Sequence, residues 1–167
     1  VLMRVGALPR FTTNEMSYYL SWSTNGLINE YCNEADAIYE GKSIKLMPLE
    51  GAEKIVIEGE SFEAFNTSGG CATMCETYEN EVQNLSYKTI RYPGHLHHRK
   101  FLFNDLHLKK NKDVLEKLFD KEVPRTKNDV IIFFVKVIGF IDGVLQEKTY
   151  LRKIYGDEKF SAIQLTT

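Results

Sequence analysis

The stretch from Asp129 to Tyr155 limits what this chain can fold into more than any other. Asp129 to Ile141 is a long β-branched and aromatic run, and Val144 to Tyr155 returns with similar strand character. Between them Asp142-Gly143 is the residue pair that a two-residue type I′ turn asks for, since both central positions need φ > 0. The reading is a β-hairpin. An isolated hairpin is marginal in water, so these strands must belong to a larger sheet. Their length and apolarity place them in the middle of that sheet or across a subunit interface.

The remaining elements are shorter. A short apolar strand ends in the turn Gly6 to Pro9, and Tyr18 to Ser23 has strand-forming residues. Ser23, Thr24 or Asn25 can cap a helix over Gly26 to Tyr31. Asn33 to Gly41 reads as acidic surface, whereas Ser43 to Leu46, Lys54 to Glu58 and Glu60 to Phe65 read as short strands. A helix-capable run covers Cys71 to Tyr78. In the strand Leu85 to Tyr92, Tyr87, Thr89 and Arg91 share one face and Ser86, Lys88, Ile90 and Tyr92 the other. Beyond Pro93-Gly94, one helix carries Leu96, Leu102, Phe103 and Leu106. A second, from about Lys112 to Lys121, carries Val114, Leu115, Leu118 and Phe119. Short strands, intervening helices and one long antiparallel hairpin predict an α+β fold: a mixed sheet with helices on one face.

At 167 residues the chain has the size of one domain. A net charge of −2 with no basic face or tail argues against nucleic acid or an anionic membrane as partner. The longest apolar run, Val130 to Val135, is too short to span a bilayer. Three cysteines, an odd number in a chain large enough not to need staples, read as reduced thiols in a reducing, cytoplasmic compartment. Both ends read as cut: Val1-Leu2-Met3 is apolar, and Phe160 to Thr167 looks like the first turns of a helix. The expectation is a domain excised from a longer protein.

Candidate chemistry lies in two places. Phe65-Asn66-Thr67-Ser68-Gly69-Gly70 runs from a strand through a small polar double-glycine turn. Such a turn can aim N–H groups and hydroxyls at a carboxylate, or it can simply join a strand to a helix. Arg91, at the end of its strand, is a natural bidentate partner for a carboxylate, or else one half of a strand-edge salt bridge. His95, His97 and His98 sit close together and Cys71 and Cys75 are four apart, but Cys-x-x-x-Cys on a helix is not a zinc knuckle, and no metal is expected. Trp22 reads as core. No dinucleotide fingerprint or phosphate loop occurs, so the chain should not hold a nucleotide cofactor alone.

Val5-Gly6-Ala7-Leu8-Pro9, Leu20-Ser21-Trp22-Ser23-Thr24-Asn25-Gly26-Leu27, Asn66-Thr67-Ser68-Gly69-Gly70 and Lys88-Thr89-Ile90-Arg91-Tyr92-Pro93-Gly94-His95 together resemble successive landmarks of the saccharopine dehydrogenase family. The resemblance runs in order from about residue 5 to 110, and Ser161-Ala162-Ile163-Gln164 is similar to the family's return to its cofactor domain. It implies that residues 1–167 are the substrate-binding, dimer-forming domain of a two-domain oxidoreductase. Residues 158–167 would start the return to a Rossmann domain that binds NAD or NADP. The sheet would resemble that of the glyceraldehyde-3-phosphate dehydrogenase catalytic domain. The implied reaction oxidises the C–N bond of saccharopine, giving glutamate and aminoadipate semialdehyde. A carboxynorspermidine or lysine dehydrogenase, or a non-enzymatic dimerisation module, is the alternative. By the same resemblance Gly6, Ala7, Leu8 and Pro9 would lie beside the nicotinamide, Asn66, Thr67 and Ser68 beside the substrate, and Arg91 near a substrate carboxylate. His95 or Tyr92 could supply the proton transfer the reaction needs. Two departures stand out: the family's commoner Gly-Gly-Leu-Pro is Gly6-Ala7-Leu8-Pro9 here, and the Asn66 to Gly70 turn lacks the arginine of fungal members.

Overall fold

A computed structural model describes residues 1–166. Its strands are β1 (Leu2–Pro9), β2 (Ala35–Tyr39), β3 (Lys42–Leu46), β4 (Glu53–Ile57), β5 (Glu60–Phe65), β6 (Asn84–Arg91), β7 (Asp129–Ile141) and β8 (Val144–Tyr155). Its α-helices are α1 (Thr24–Cys32), α2 (Met74–Thr77), α3 (His95–Lys100) and α4 (Lys112–Glu122). The strands join in the order β3-β2-β6-β1-β7-β8, and the β4–β5 hairpin attaches through β5 to the end of β6. Only β1 and β6 run parallel, so the sheet is mixed.

The hairpin forms as its sequence demands. Asp142 and Gly143 both sit at positive φ, 52° and 75°, closing the turn with Ile141 opposite Val144. The last β7 residue that β1 reaches is Lys136. Beyond it the two strands continue as a free ribbon, and Phe140 (73% exposed), Val144 and Leu145 (60%) face outward. The hairpin is therefore half sheet and half protrusion, with β8 as the edge strand.

Strand alternation divides the core. Phe65 lies opposite Thr89, which places both with Arg91 on the face where α1, α3 and α4 pack. Leu27, Ile28, Leu96, Phe103, Leu115 and Phe119 fill that layer. On the other face Leu8, Phe62, Ile90, Val130 and Ile132 form a second cluster. The Ser23 hydroxyl caps α1 by accepting from Gly26 N–H at 3.1 Å.

Several readings are corrected. Gly6 to Pro9 is no turn but the second half of β1, paired with Ile132 to Asp129 of β7. Asn33 to Gly41 contains the strand β2, with Ala35, Ala37 and Ile38 buried; the flanking acidic residues disguised it. Tyr18 to Ser23 is no strand beyond one bridge, Leu20 to Arg125. The helix over Cys71 to Tyr78 shrinks to Met74–Thr77, preceded by turns. Of the apolar stripe on α4 only Leu115 and Phe119 are buried, while Val114 and Leu118 are exposed. Where Phe160 to Thr167 reads as the start of a helix, residues 162–166 are turns, anchored where Ala162 N–H donates to Asp129 Oδ1 at 2.7 Å, and Thr167 lies outside the described residues.

Candidate functional site

Arg91 closes β6 and is almost fully buried. Its Nε donates to the Tyr31 hydroxyl at 3.0 Å, and Nη1 donates to the Ile90 carbonyl at 2.8 Å. Tyr18 and Tyr31 place their rings 5.4 and 5.9 Å from the guanidinium carbon. Burial works against the charge, but these neighbours and Glu30 outweigh it and keep Arg91 cationic. The third nitrogen, Nη2, makes no hydrogen bond among the described residues and lies 3.8 Å from Glu30 Oε2. That separation is an ion pair too long for a hydrogen bond.

Arg91 and Glu30 sit in the wall of a cavity of about 210 Å³. Tyr87 and Thr89 continue the β6 wall, Val5 and Ala7 come from β1, and Ile131 and Phe133 come from β7. Trp22 and the chain-end residues Ile163 and Thr166 complete it. The lining is apolar apart from one cation, one anion and three hydroxyl-bearing side chains, the composition of a small-molecule site. Burial raises the Glu30 carboxyl from 4.5 to about 7, with Arg91 opposing the shift. A carboxyl that titrates near neutrality on a cavity wall is a functional candidate with a physical cause.

Behind Arg91 the polar contacts continue inward. Tyr31 Oη lies 2.9 Å from His95 Nε2, which also accepts from Arg99 Nε at 3.0 Å. His95 Nδ1 lies 3.0 Å from the Met16 carbonyl, so this nitrogen carries the proton. Burial first, then Arg99 and Arg91, drives the His95 pKa well below its ordinary value, and the ring is neutral. Arg99 packs its guanidinium 4.6 Å from the Phe119 ring centroid.

The residues singled out in the sequence do not all converge. Arg91 and Ala7 reach the cavity, and so does Trp22, which is only half-buried. Leu8 points into the opposite core cluster. Gly6 and Pro9 are buried in β1; a Cβ on Gly6 would stand 2.4 Å from the Ile90 carbonyl oxygen, so strand packing alone accounts for that glycine. His95 is 0% exposed and has no surface on the cavity. Tyr92 follows Arg91 and so faces the other side of the sheet, where its hydroxyl donates to the Pro9 carbonyl at 2.9 Å. His95 and Tyr92 therefore do not share the Arg91 cavity.

The Asn66 to Ser68 turn lies outside the cavity lining, and its groups are largely engaged. Asn66 N–H donates to the Glu50 carbonyl at 2.9 Å, and Ser68 N–H to the Glu30 carbonyl at 3.1 Å. The Ser68 hydroxyl donates to the Asn29 carbonyl at 3.2 Å. Of the turn's buried side-chain atoms, the Thr67 hydroxyl and Asn66 Oδ1 lack a partner among the described residues. The turn thus ties the end of β5 to α1, the helix that carries Glu30. A Cβ on Gly70 would strike the Tyr87 ring at 2.2 Å, so this glycine seats a cavity-wall side chain. The described residues include no group of three metal-ligating side chains, and none of their helices is long and apolar enough to cross a membrane.

Glu30 escaped the sequence reading. It stands beside Leu27, Ile28 and Tyr31 on α1, where an isolated acid reads as the solvent side of an amphipathic helix. Only its place next to Tyr31, whose ring is buried, marked it as near the core.

The family model described as the saccharopine dehydrogenase C-terminal domain matches residues 1–167. Among solved structures, the apo histidine-tagged saccharopine dehydrogenase (L-Glu forming) from Saccharomyces cerevisiae superposes with a TM-score of 0.68 at 15% identity. The superposition covers 96% of this chain and 54% of that one, so the chain spans about half the length of the enzyme it matches. At that identity the likeness speaks for the fold alone. A mixed sheet with helices, the same fold in a solved saccharopine dehydrogenase and a family match over the whole chain agree: this chain belongs to the saccharopine dehydrogenase C-terminal domain family.

Proposed function

We propose that this chain is the amino-acid-binding part of an NAD- or NADP-dependent oxidoreductase acting on a C–N bond, with saccharopine as substrate and glutamate and aminoadipate semialdehyde as products. The observation that carries this reading is Arg91. A buried guanidinium, fixed by Tyr31 and a backbone carbonyl, has one nitrogen that makes no hydrogen bond among the described residues, at a largely apolar cavity. That is how a protein holds a carboxylate, and saccharopine has three of them. The site residues of the proposal are Arg91 and the cavity wall. Asn66, Thr67 and Ser68 act one layer behind it, by holding α1.

Of the four β1 residues assigned to the cofactor, Ala7 fits, because it is the one whose side chain reaches the cavity. Its methyl is small enough to let a flat nicotinamide approach. When bound, that group supplies the hydride acceptor. With no glycine-rich phosphate loop here, the phosphates belong to a domain outside this chain. Proton transfer also belongs to that half of the site, because His95 is sealed in the core and Tyr92 lies across the sheet.

The protein would work as a homodimer through the protruding half of the hairpin. Val137, Ile138, Phe140, Val144 and Leu145 are exposed there with no third strand beside them, a surface that association would cover. Three unpaired thiols, Cys32, Cys71 and Cys75, suit a reducing compartment such as the cytoplasm.

The test is Arg91→Ala in the full-length protein, assayed with saccharopine and a nicotinamide cofactor. Removing a charge-assisted contact lowers kcat/KM by about 100-fold. Near-normal turnover would remove Arg91 from the site. Phe140→Glu should convert a dimer into a monomer by light scattering; a wild-type monomer would end the interface assignment.

A further inference from the structure

The cavity holds two opposite charges that do not close on each other. Arg91 Nη2 and Glu30 Oε2 stay 3.8 Å apart, although the other guanidinium nitrogens make hydrogen bonds of ordinary length. Both groups face the same small space, whose floor is the apolar row Val5, Ala7, Ile131 and Phe133. Among the described residues Glu30 has no hydrogen-bonded cation, and its carboxylate meets Arg91 only at 3.8 Å.

We propose that Glu30 and Arg91 form a binding subsite for the zwitterionic head of an α-amino acid, with the carboxylate on Arg91 and the ammonium on Glu30. The two charged groups of such a ligand hang from one carbon, so they suit protein charges set one ion pair apart. Ligand carboxylate against guanidinium and ligand ammonium against carboxylate alternate in sign, and the filled cavity carries no net charge from the four groups. The ligand side chain would run over the Val5, Ala7, Ile131 and Phe133 floor, which selects an aliphatic stem. A simple carboxylate would satisfy Arg91 but lie against the Glu30 carboxylate, and like charges disfavour it. Keeping a half-buried acid on the wall costs the fold, and the proposed subsite gives that acid a function.

The proposal rests on the reading of Arg91 as a carboxylate-binding residue, and the test separates the two. Binding of L-norleucine and of hexanoate, which is the same molecule without the ammonium, is measured on the full-length protein by NMR titration. Wild type should bind L-norleucine at least about tenfold more tightly than hexanoate, a margin worth about 1.4 kcal/mol. Glu30→Gln should abolish that margin by weakening L-norleucine alone, whereas Arg91→Ala should weaken both ligands. Equal wild-type affinities overturn the zwitterion subsite. So does a Glu30→Gln protein that keeps the tenfold margin. In either case binding that still depends on Arg91 leaves the carboxylate reading standing. If wild type binds neither ligand, or Arg91→Ala binds both as well as wild type, both readings fall. The wild-type comparison needs no variant, so a folding defect cannot obscure the answer.

Discussion

Arg4 and Arg91 are both strand arginines, both nearly buried, and each has a glutamate nearby. They differ in how far that glutamate closes. Arg4 Nε is hydrogen-bonded to Glu53 Oε1, Nη2 reaches Glu53 Oε2 at 3.3 Å, and Nη1 donates to the carbonyls of Met3 and Ser86 at 3.0 and 3.1 Å. Lys88 Nζ adds a second cation to Glu53 at 2.7 Å. Burial pushes the Glu53 carboxyl up, yet hydrogen bonds from Arg4 and Lys88 outweigh it and leave the group below its ordinary value. At Glu30 the balance goes the other way, and the carboxyl rises to about 7. Burial alone does not separate the two arginines. The state of the counter-ion does: the depressed Glu53 carboxyl belongs to a closed pair, and the raised Glu30 carboxyl to a pair left open.

The contrast can be broken by substitution. The largest expected effect is Arg4→Ala, which strands the partly buried Glu53 and frees two backbone carbonyls; we expect a loss of about 3 kcal/mol in urea unfolding. Ligand affinity of the folded fraction should not change, and a drop there would end the division between the two arginines.

Next is Glu30→Gln. The folded-state pKa of Glu30 is raised, so between pH 4.5 and about 7 the native protein holds a proton that the unfolded chain has released. Stability therefore falls as pH rises through that window. Arg91 and Tyr87 are the ionisable β6 side chains that share the cavity with this carboxyl, and Tyr31 is its neighbour on α1. The amide should stabilise the fold by about 2 kcal/mol at pH 8, a figure reduced for the partial exposure of the carboxyl, and by almost nothing at pH 4. A gain that does not depend on pH would show that Glu30 is not the titrating group.

The smallest effect belongs to Tyr31→Phe, which removes the hydroxyl that fixes Arg91 Nε. A cost of about 1 kcal/mol in stability and a several-fold weaker carboxylate affinity are expected. Unchanged affinity would mean that the Ile90 carbonyl alone aims the guanidinium.

How much of this was legible depended on distance along the chain. The Asp142-Gly143 turn, a cap among Ser23, Thr24 and Asn25, and the β6 alternation that groups Arg91 with Tyr87 and Thr89 are readable, because each is set by residues within one or two turns of each other. Strand β2 was not, since Glu34, Asp36 and Glu40 hide a buried Ala35, Ala37 and Ile38. The Asn66 to Gly70 turn was placed correctly as a strand exit, but its donors go to carbonyls of Asn29, Glu30 and Glu50, which no local pattern announces.

By itself the sequence determined the long hairpin, the mixed α+β architecture and the β6 residues that share a face with Arg91. Periodicity and turn chemistry are properties of contiguous residues, and they suffice for that. Only the tertiary structure decided that Tyr31 from α1 would grip Arg91 from β6, that His95 would be sealed behind it, and that Glu30 would face a cavity. Ion pairing and desolvation depend on distances in space, and those exist only once the helices lie on the sheet.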